Sequence, residues 1–252
     1  MLCRATGVPS LFLFLLFTAP AVADPVRVGV ASNFAGPARE LAAQYEAETG
    51  HAISLSTAST GKLYAQIRAG APFDVLLAAD ELRPQRLVAD GFALTAAVYA
   101  IGRLAIVSAD PGLRGADCRE AFLAATAPTL AIANPDTAPY GLAASAWLQQ
   151  QRVAGKLDLV RGENVGQAMG FVVTGNARFG IVALSQFLPV EPDWQGCATA
   201  LPAASHPPVR QAAALLAVAA KDQAAAGFFE YLFSADAAAT LSKWGYMTPG
   251  RP

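Results

Sequence analysis

Histidine, cysteine and clustered charge are all scarce in this sequence. Two histidines occur in 252 residues. His51 precedes an apolar run and His206 lies in a proline-rich stretch. Neither has a partner at metal-ligand spacing, so both read as surface residues. A Ser-His-Asp triad would have to use one of them, and no GxSxG elbow is present. No GxGxxG follows the first apolar run and no CxxC pair occurs, which removes a dinucleotide fingerprint, a redox dithiol and a zinc knuckle. Charged residues make up 15% of the chain, 18 basic against 19 acidic, for a net charge of -1. Without a basic block, nucleic acid is not an expected partner. Asp74 and Asp80 flank an apolar run, but strand-end and helix-cap roles account for such carboxylates.

The start of the chain has an arrangement of its own. "MLCRATGVPSLFLFLLFTAPAVADP" places Arg4 before the apolar run Leu11–Phe17 and ends in Ala21-Val22-Ala23. That is the three-part form of a secretory signal peptide over residues 1–23. The run is far short of the ~20 apolar residues of a spanning helix. Cleavage after Ala23 removes Cys3 and leaves Cys118 and Cys197, in a compartment that permits a disulfide. A bridge and two free buried thiols are equally compatible with the sequence. The remaining ~229 residues can bury one large core or two smaller ones.

Along the mature chain, short apolar runs alternate with helical patterns. "VRVGVA" (26–31), "AISLST" (52–57), "DVLLAA" (74–79), "VYAIGRLAIVS" (98–108), "TLAIA" (129–133), "FGIVAL" (179–184) and "AALLAVA" (213–219) read as strands. Phe34, Ala38, Leu41 and Tyr45 recur on one helical face, and helices are expected over 141–152, 165–173, 222–233 and 235–243. The stretch 188–210 is rich in proline and small residues and reads as a surface crossing. This alternation predicts an α/β fold with mostly parallel sheet covered on both faces.

"STASTGKLYAQI" (56–67) resembles a phosphate loop that has lost two of its fixed positions. Ser56 stands where a P-loop needs glycine, and Leu63 where it needs the magnesium-binding hydroxyl. What remains is a small polar turn running into a helix. The same device recurs: Ser32-Asn33, Ser59-Thr60-Gly61, Tyr140-Gly141 and Asn164-Val165 each precede a helical pattern. Each junction alone reads as a helix cap. Helix starts also bind anions, because their first N–H groups are unpaired and carry partial positive charge.

At these junctions the chain resembles the periplasmic molybdate-binding proteins, the substrate-binding components of molybdate ABC transporters. The resemblance runs through "VGVASNFAGPARELAAQYEAETGH", "STGKLYAQIRAGAPFDVLLAADELRPQRLVADG", "AIANPDTAPYGLAASAWL", "NVGQAMGFVVTGNARFGIVALSQ" and "FFEYLFSADAAATLSKWGY". It implies a two-lobed periplasmic binding protein fold, with each lobe a mostly parallel sheet flanked by helices and the ligand in the interlobe cleft. The implied lobes are 24–103 with 209–252, and 104–208. The family's first anion-binding serine corresponds to Ser32 and its second to Thr60, with Ser59 beside it. Its backbone contacts correspond to Tyr140 and Val165. A family tyrosine after the "GIV" strand is replaced here by Ala183, which leaves Ser185 as the candidate substitute.

The resemblance implies a non-enzymatic, monomeric carrier in the periplasm. It would bind molybdate or tungstate without a cofactor and deliver it to a membrane permease. A fully deprotonated dianion suits neutral donors, since a buried carboxylate would repel it. Gly61 is expected to let the backbone turn closely round the anion. Lys62 is expected to face solvent, and Tyr140 to act through its backbone alone. The alternatives are a carrier of sulfate, thiosulfate or chelated iron, a secreted hydrolase, and a sensor domain handing occupancy to a receptor. Iron would call for Tyr or His clusters that the chain lacks.

Overall fold

The computed structural model describes residues 24–153 and 156–249, so the expected signal peptide lies outside the described residues. The chain begins with β1 (Val26–Ala31), α1 (Ala35–Thr49), β2 (Ile53–Ala58), α2 (Thr60–Arg68), β3 (Val75–Leu77), α3 (Leu82–Ala89) and β4 (Ala93–Gly102). It continues with β5 (Leu104–Ser108), α4 (Cys118–Ala124), β6 (Thr129–Ala133), α5 (Pro139–Gln150), β7 (Asp158–Gly162), α6 (Val165–Val173), β8 (Phe179–Ala183), α7 (Leu184–Phe187) and β9 (Cys197–Ala200). It closes with β10 (Val209–Leu216), α8 (Gln223–Tyr231) and α9 (Ala235–Lys243).

Local chemistry explains most of these boundaries. In β1 the valines 26, 28 and 30 are buried on one face and Gly29 and Ala31 on the other, as a central strand covered on both faces requires. Gly50 ends α1 at φ 75°, a conformation glycine adopts without strain. Ser59 caps α2, Asn164 caps α6, Asp222 caps α8 and Ser234 caps α9, each accepting from a first-turn N–H. Pro139 opens α5, where its missing N–H costs nothing.

The strands form two five-stranded sheets, in the orders β2-β1-β3-β10-β4 and β7-β6-β8-β5-β9. In the first, β10 runs antiparallel to both of its neighbours. In the second, β5 does the same. The other four strands of each sheet share one direction. Each sheet with its helices makes one lobe of an α/β fold, and the reversed strands lie next to the points where the chain changes lobes.

The first crossing splits the run expected over 98–108. β4 ends at Gly102 and β5 starts at Leu104, so the run serves two sheets and breaks at Gly102-Arg103. The second crossing is 201–208. The proline-rich stretch ahead of it also carries β9, which pairs with β5. That edge strand has only four residues and lacks an alternating pattern. β7 was likewise not apparent, because "DLVRG" is a half-exposed edge.

Each lobe has its own core. Phe34, Tyr45, Tyr99, Phe228 and Tyr246 pack in the first. Phe34 and Tyr99 meet edge-on at 4.9 Å between ring centres. Phe122, Trp147 and Phe179 pack in the second. There Cys118 and Cys197 form a disulfide that joins the start of α4 to β9, with Cα atoms 5.2 Å apart.

Candidate functional site

Four chain turns meet between the lobes. The turn after β1 brings Ser32, which opens a short 3-10 segment leading into α1. The turn after β2 brings Ser59 and Thr60 at the start of α2. From the second lobe come Tyr140 at the start of α5 and Val165 at the start of α6. Ser32, Ser59, Thr60, Tyr140 and Val165 all line one small pocket, with Asn33, Pro139 and the alanines 31, 79 and 138. No charged side chain is on that wall. The cavity holds about 10 Å³, room for about one water and far below the pockets typical of organic ligands.

The hydroxyls are oriented by what they accept. Thr60 Oγ1 accepts the backbone N–H of Ala79 at 2.9 Å. Ser32 Oγ lies 3.4 Å from the backbone N of Gly166 in the opposite lobe. Ser59 Oγ faces the N–H of Lys62 at 3.4 Å, as an N-cap does. A hydroxyl whose lone pair is engaged by a backbone N–H keeps its own proton for another acceptor. Thr60 is 1% and Ser59 2% exposed, so a proton from either would be donated in a dry setting, where hydrogen bonds are strong. The first-turn N–H groups of α2, α5 and α6 have no acceptor within their helices. These helices are nine, twelve and nine residues long, and their dipoles converge on the pocket.

The lobes touch around the pocket mouth. The N–H of Gly61 donates to the carbonyl of Thr137 at 2.9 Å. A methyl group on Gly61 would lie 2.9 Å from that oxygen. The close approach required of Gly61 is therefore toward the backbone of the other lobe. Lys62 is about half exposed and its Nζ pairs with Glu163 across the mouth at 2.5 Å. Its side chain reaches the opposite lobe as well as solvent, and its charge is already partnered. Arg83 adds a longer contact to the carbonyl of Asp136, at 3.3 Å.

Ser185 lies elsewhere than the pocket wall. Its hydroxyl is 3.0 Å from the Asn33 carbonyl and 2.9 Å from the Tyr246 hydroxyl. It thus belongs to a buried polar group behind the pocket, which also holds Tyr99, Tyr140, Gln211 and the Asn33 side chain. Asn33 Nδ2 donates to Gln211 Oε1 at 2.8 Å and to the Tyr246 hydroxyl at 3.0 Å. Gln211 Nε2 reaches the Tyr140 hydroxyl at 3.4 Å. Tyr140 therefore has a side-chain role that a backbone-only reading leaves out. Burial drives the phenols of Tyr99 and Tyr140 well above their usual range, with the nearby Tyr246 adding to this, and burial also raises Tyr246. All three stay neutral donors and acceptors. The signal for Gln211 was present as a polar residue next to Arg210 at the start of the buried strand "VRQAAALL"; Tyr246 carried none.

Other candidates have structural roles. Asp74 accepts the backbone and guanidinium N–H groups of Arg27, and Asp80 caps and pairs with Arg83. His51 is exposed, as expected. His206 is 8% exposed, contrary to the surface reading; it is part of the second crossing, with Nδ1 2.9 Å from the Pro207 carbonyl. Among the described residues, no three His, Cys, Asp or Glu side chains gather as a metal site.

With this geometry in place, comparison with known proteins is informative. The chain is 37% identical to the molybdate-binding protein ModA of Rhodobacter capsulatus over 246 residues, 96% of each chain. It is 39% identical to the molybdate-binding protein ModA of Azotobacter vinelandii over 236 residues, 92% of this chain and 93% of that one. The solved periplasmic molybdate-binding protein of Azotobacter vinelandii superposes with a TM-score of 0.83 at 36% identity, covering 89% of this chain and 99% of that one. The profile of the family described as bacterial extracellular solute-binding protein matches residues 26–247. The chain belongs to that bacterial extracellular solute-binding protein family.

Proposed function

We propose that this protein captures molybdate in the periplasm and delivers it to the permease of an ABC transporter. The observation that carries the reading is the pocket itself: hydroxyls and helix starts from both lobes, with no charged side chain on its wall. Ser32 and Thr60 supply O–H donors, with Ser59 beside them. Tyr140 and Val165 supply backbone N–H donors. Every oxygen of a molybdate dianion is an acceptor, so each donor finds a partner and no protein acceptor opposes the charge. Monohydrogen phosphate would bring a proton with no acceptor to meet it. Sulfate has shorter bonds and would leave some donors unmet, at the cost of a buried unpaired group. Tungstate is nearly the size of molybdate and would be held alike. The names of the relatives support molybdate as the ligand.

In this reading the lobes are 24–103 with 209–252 and 104–208, residues 1–23 are a cleaved export signal, and the carrier acts as a monomer without catalysis or cofactor. Closure of the lobes on the anion would be a hinge motion about the two crossings. The test is a thermal-shift panel of molybdate, tungstate, sulfate and phosphate on the chain from Asp24. A tight ligand at ~1,000 times its Kd stabilises the fold by about 4 kcal/mol. The reading requires large shifts with molybdate and tungstate and small ones with sulfate and phosphate. A larger shift with sulfate than with molybdate would reassign the ligand.

A further inference from the structure

Gln211 lies on β10, the strand by which the chain returns to the first lobe, and it is fully buried. Its amide has two different ends, and they face the two halves of the pocket. Oε1 accepts from Asn33, the neighbour of Ser32. Nε2 faces the hydroxyl of Tyr140, whose own backbone opens α5. Only an amide offers an acceptor to one side and a donor to the other in this shape. The opposite crossing is fitted to the same pair. A methyl group at Gly102, the last residue of β4, would lie 2.0 Å from the Tyr140 hydroxyl and 2.8 Å from Gln211 Nε2. Both crossings therefore converge on one contact between Gln211 and Tyr140.

We infer that Gln211 is a positioning residue for the anion site: it holds the Ser32 turn of one lobe and the Tyr140 helix start of the other in register when the lobes are closed. It does not line the pocket and acts through Asn33 and Tyr140. The inference rests on the proposed oxyanion function, and it adds a residue that controls how long the closed site lasts. Loss of the bridge should speed release of the anion while leaving its capture by the open form unchanged.

The test compares Gln211→Met, Gly102→Ala and the control Gln44→Met by stopped-flow kinetics with molybdate. Gln44 makes a half-buried amide contact, to Thr240 at 3.1 Å, inside the first lobe and away from the crossings. Gln211→Met keeps the length and removes the polar ends. Gly102→Ala keeps every polar atom and displaces the pair. Each should raise the dissociation rate about tenfold, with the association rate within about twofold of the parent, the size expected for one buried hydrogen-bond contact. Gln44→Met should lower Tm and leave dissociation unchanged. Native dissociation rates in Gln211→Met, or equal acceleration by Gln44→Met, would overturn the inference.

A second reading needs no ligand. Spin labels at Arg86 and Gln149, exposed positions on opposite lobes, report the interlobe distance of the ligand-free protein. The distribution should widen in Gln211→Met and Gly102→Ala and stay unchanged in Gln44→Met. If the parent protein fails to take molybdate, the proposed function falls, while the distances still decide the coupling. Unchanged distances in both crossing variants would refute it.

Discussion

The first lobe brings hydroxyl side chains to the pocket, at Ser32 and Thr60, together with the start of α2, whereas the second brings helix starts alone, at Tyr140 and Val165. Either kind of donor serves an anion, but they differ in how they can be lost. A hydroxyl disappears with one substitution. A backbone N–H survives every side-chain change except proline. The lobes differ in their fastenings too. The first relies on aromatic packing and on ion pairs such as Arg27–Asp74. The second adds the Cys118–Cys197 disulfide. The division suggests that selectivity is tunable from the first lobe, while the second provides a fixed electrostatic floor.

The largest effect expected from breaking this contrast is on the second lobe. Replacing both Cys118 and Cys197 by Ala opens a loop with a sequence separation of 79. Chain entropy alone then costs about 4 kcal/mol. Denaturant unfolding should show this loss in the second lobe, and molybdate affinity measured at low denaturant should change little. An unchanged unfolding midpoint would mean the lobe does not depend on its bridge.

Gly61→Ala addresses the contact between lobes. The added methyl would lie 2.9 Å from the carbonyl of Thr137 in the other lobe. Overpacking of this kind costs about 1–3 kcal/mol. Alanine also favours the first turn of α2 over glycine. Calorimetry should therefore show weaker molybdate binding, with the Tm of the ligand-free protein unchanged or raised. Loss of ligand-free Tm would place the defect inside the first lobe instead.

A smaller effect should come from the tyrosines at the crossings. Tyr99, Tyr140 and Tyr246 are raised from the ordinary value of 10.0, chiefly by burial. Stability from groups raised in this way is fully present below pH 10 and declines as pH climbs beyond it, because the unfolded phenols ionise first. Unfolding followed from about pH 9 to about pH 11.5 should show that decline. The triple Phe variant should show a shallower one. Identical slopes would remove the tyrosines as its cause.

Much of the first lobe was legible because β1 and β3 are buried strands and α2, α8 and α9 carry polar caps. "VRVGVA" and "DVLLAA" cannot be mistaken for surface segments, and Ser59 and Ser234 announce the helices they cap. The second lobe was harder. Its edges, β7 and β9, are short and half exposed, so their pairing depends on partners distant in sequence. The break at Arg103 was marked only by Gly102-Arg103 inside the run, and nothing local says that the two halves join different sheets. For the pocket, helix starts were visible as small polar residues before helical patterns, and the resemblance supplied the correspondence to Ser32, Thr60, Tyr140 and Val165. The contacts of Ser185 and the burial of His206 depend on how the crossings pack, which no local pattern encodes. Gln211 was not apparent, because the expected strand began at 213 and the observed one begins at Val209.

The account turns on neutral donors holding the anion, and one calorimetric series tests that directly: molybdate titrated into the parent protein, Ser32→Ala, Thr60→Ala and Lys62→Ala. Each hydroxyl loss should weaken binding by roughly 1.5–3 kcal/mol, the range for hydrogen bonds to charged groups. Lys62→Ala should cost less than about 1 kcal/mol, since its charge is spent on an exposed pair with Glu163 at the mouth. A Lys62→Ala loss larger than the Ser32→Ala loss would contradict the neutral-donor site and make the loop at 56–67 a cationic cradle.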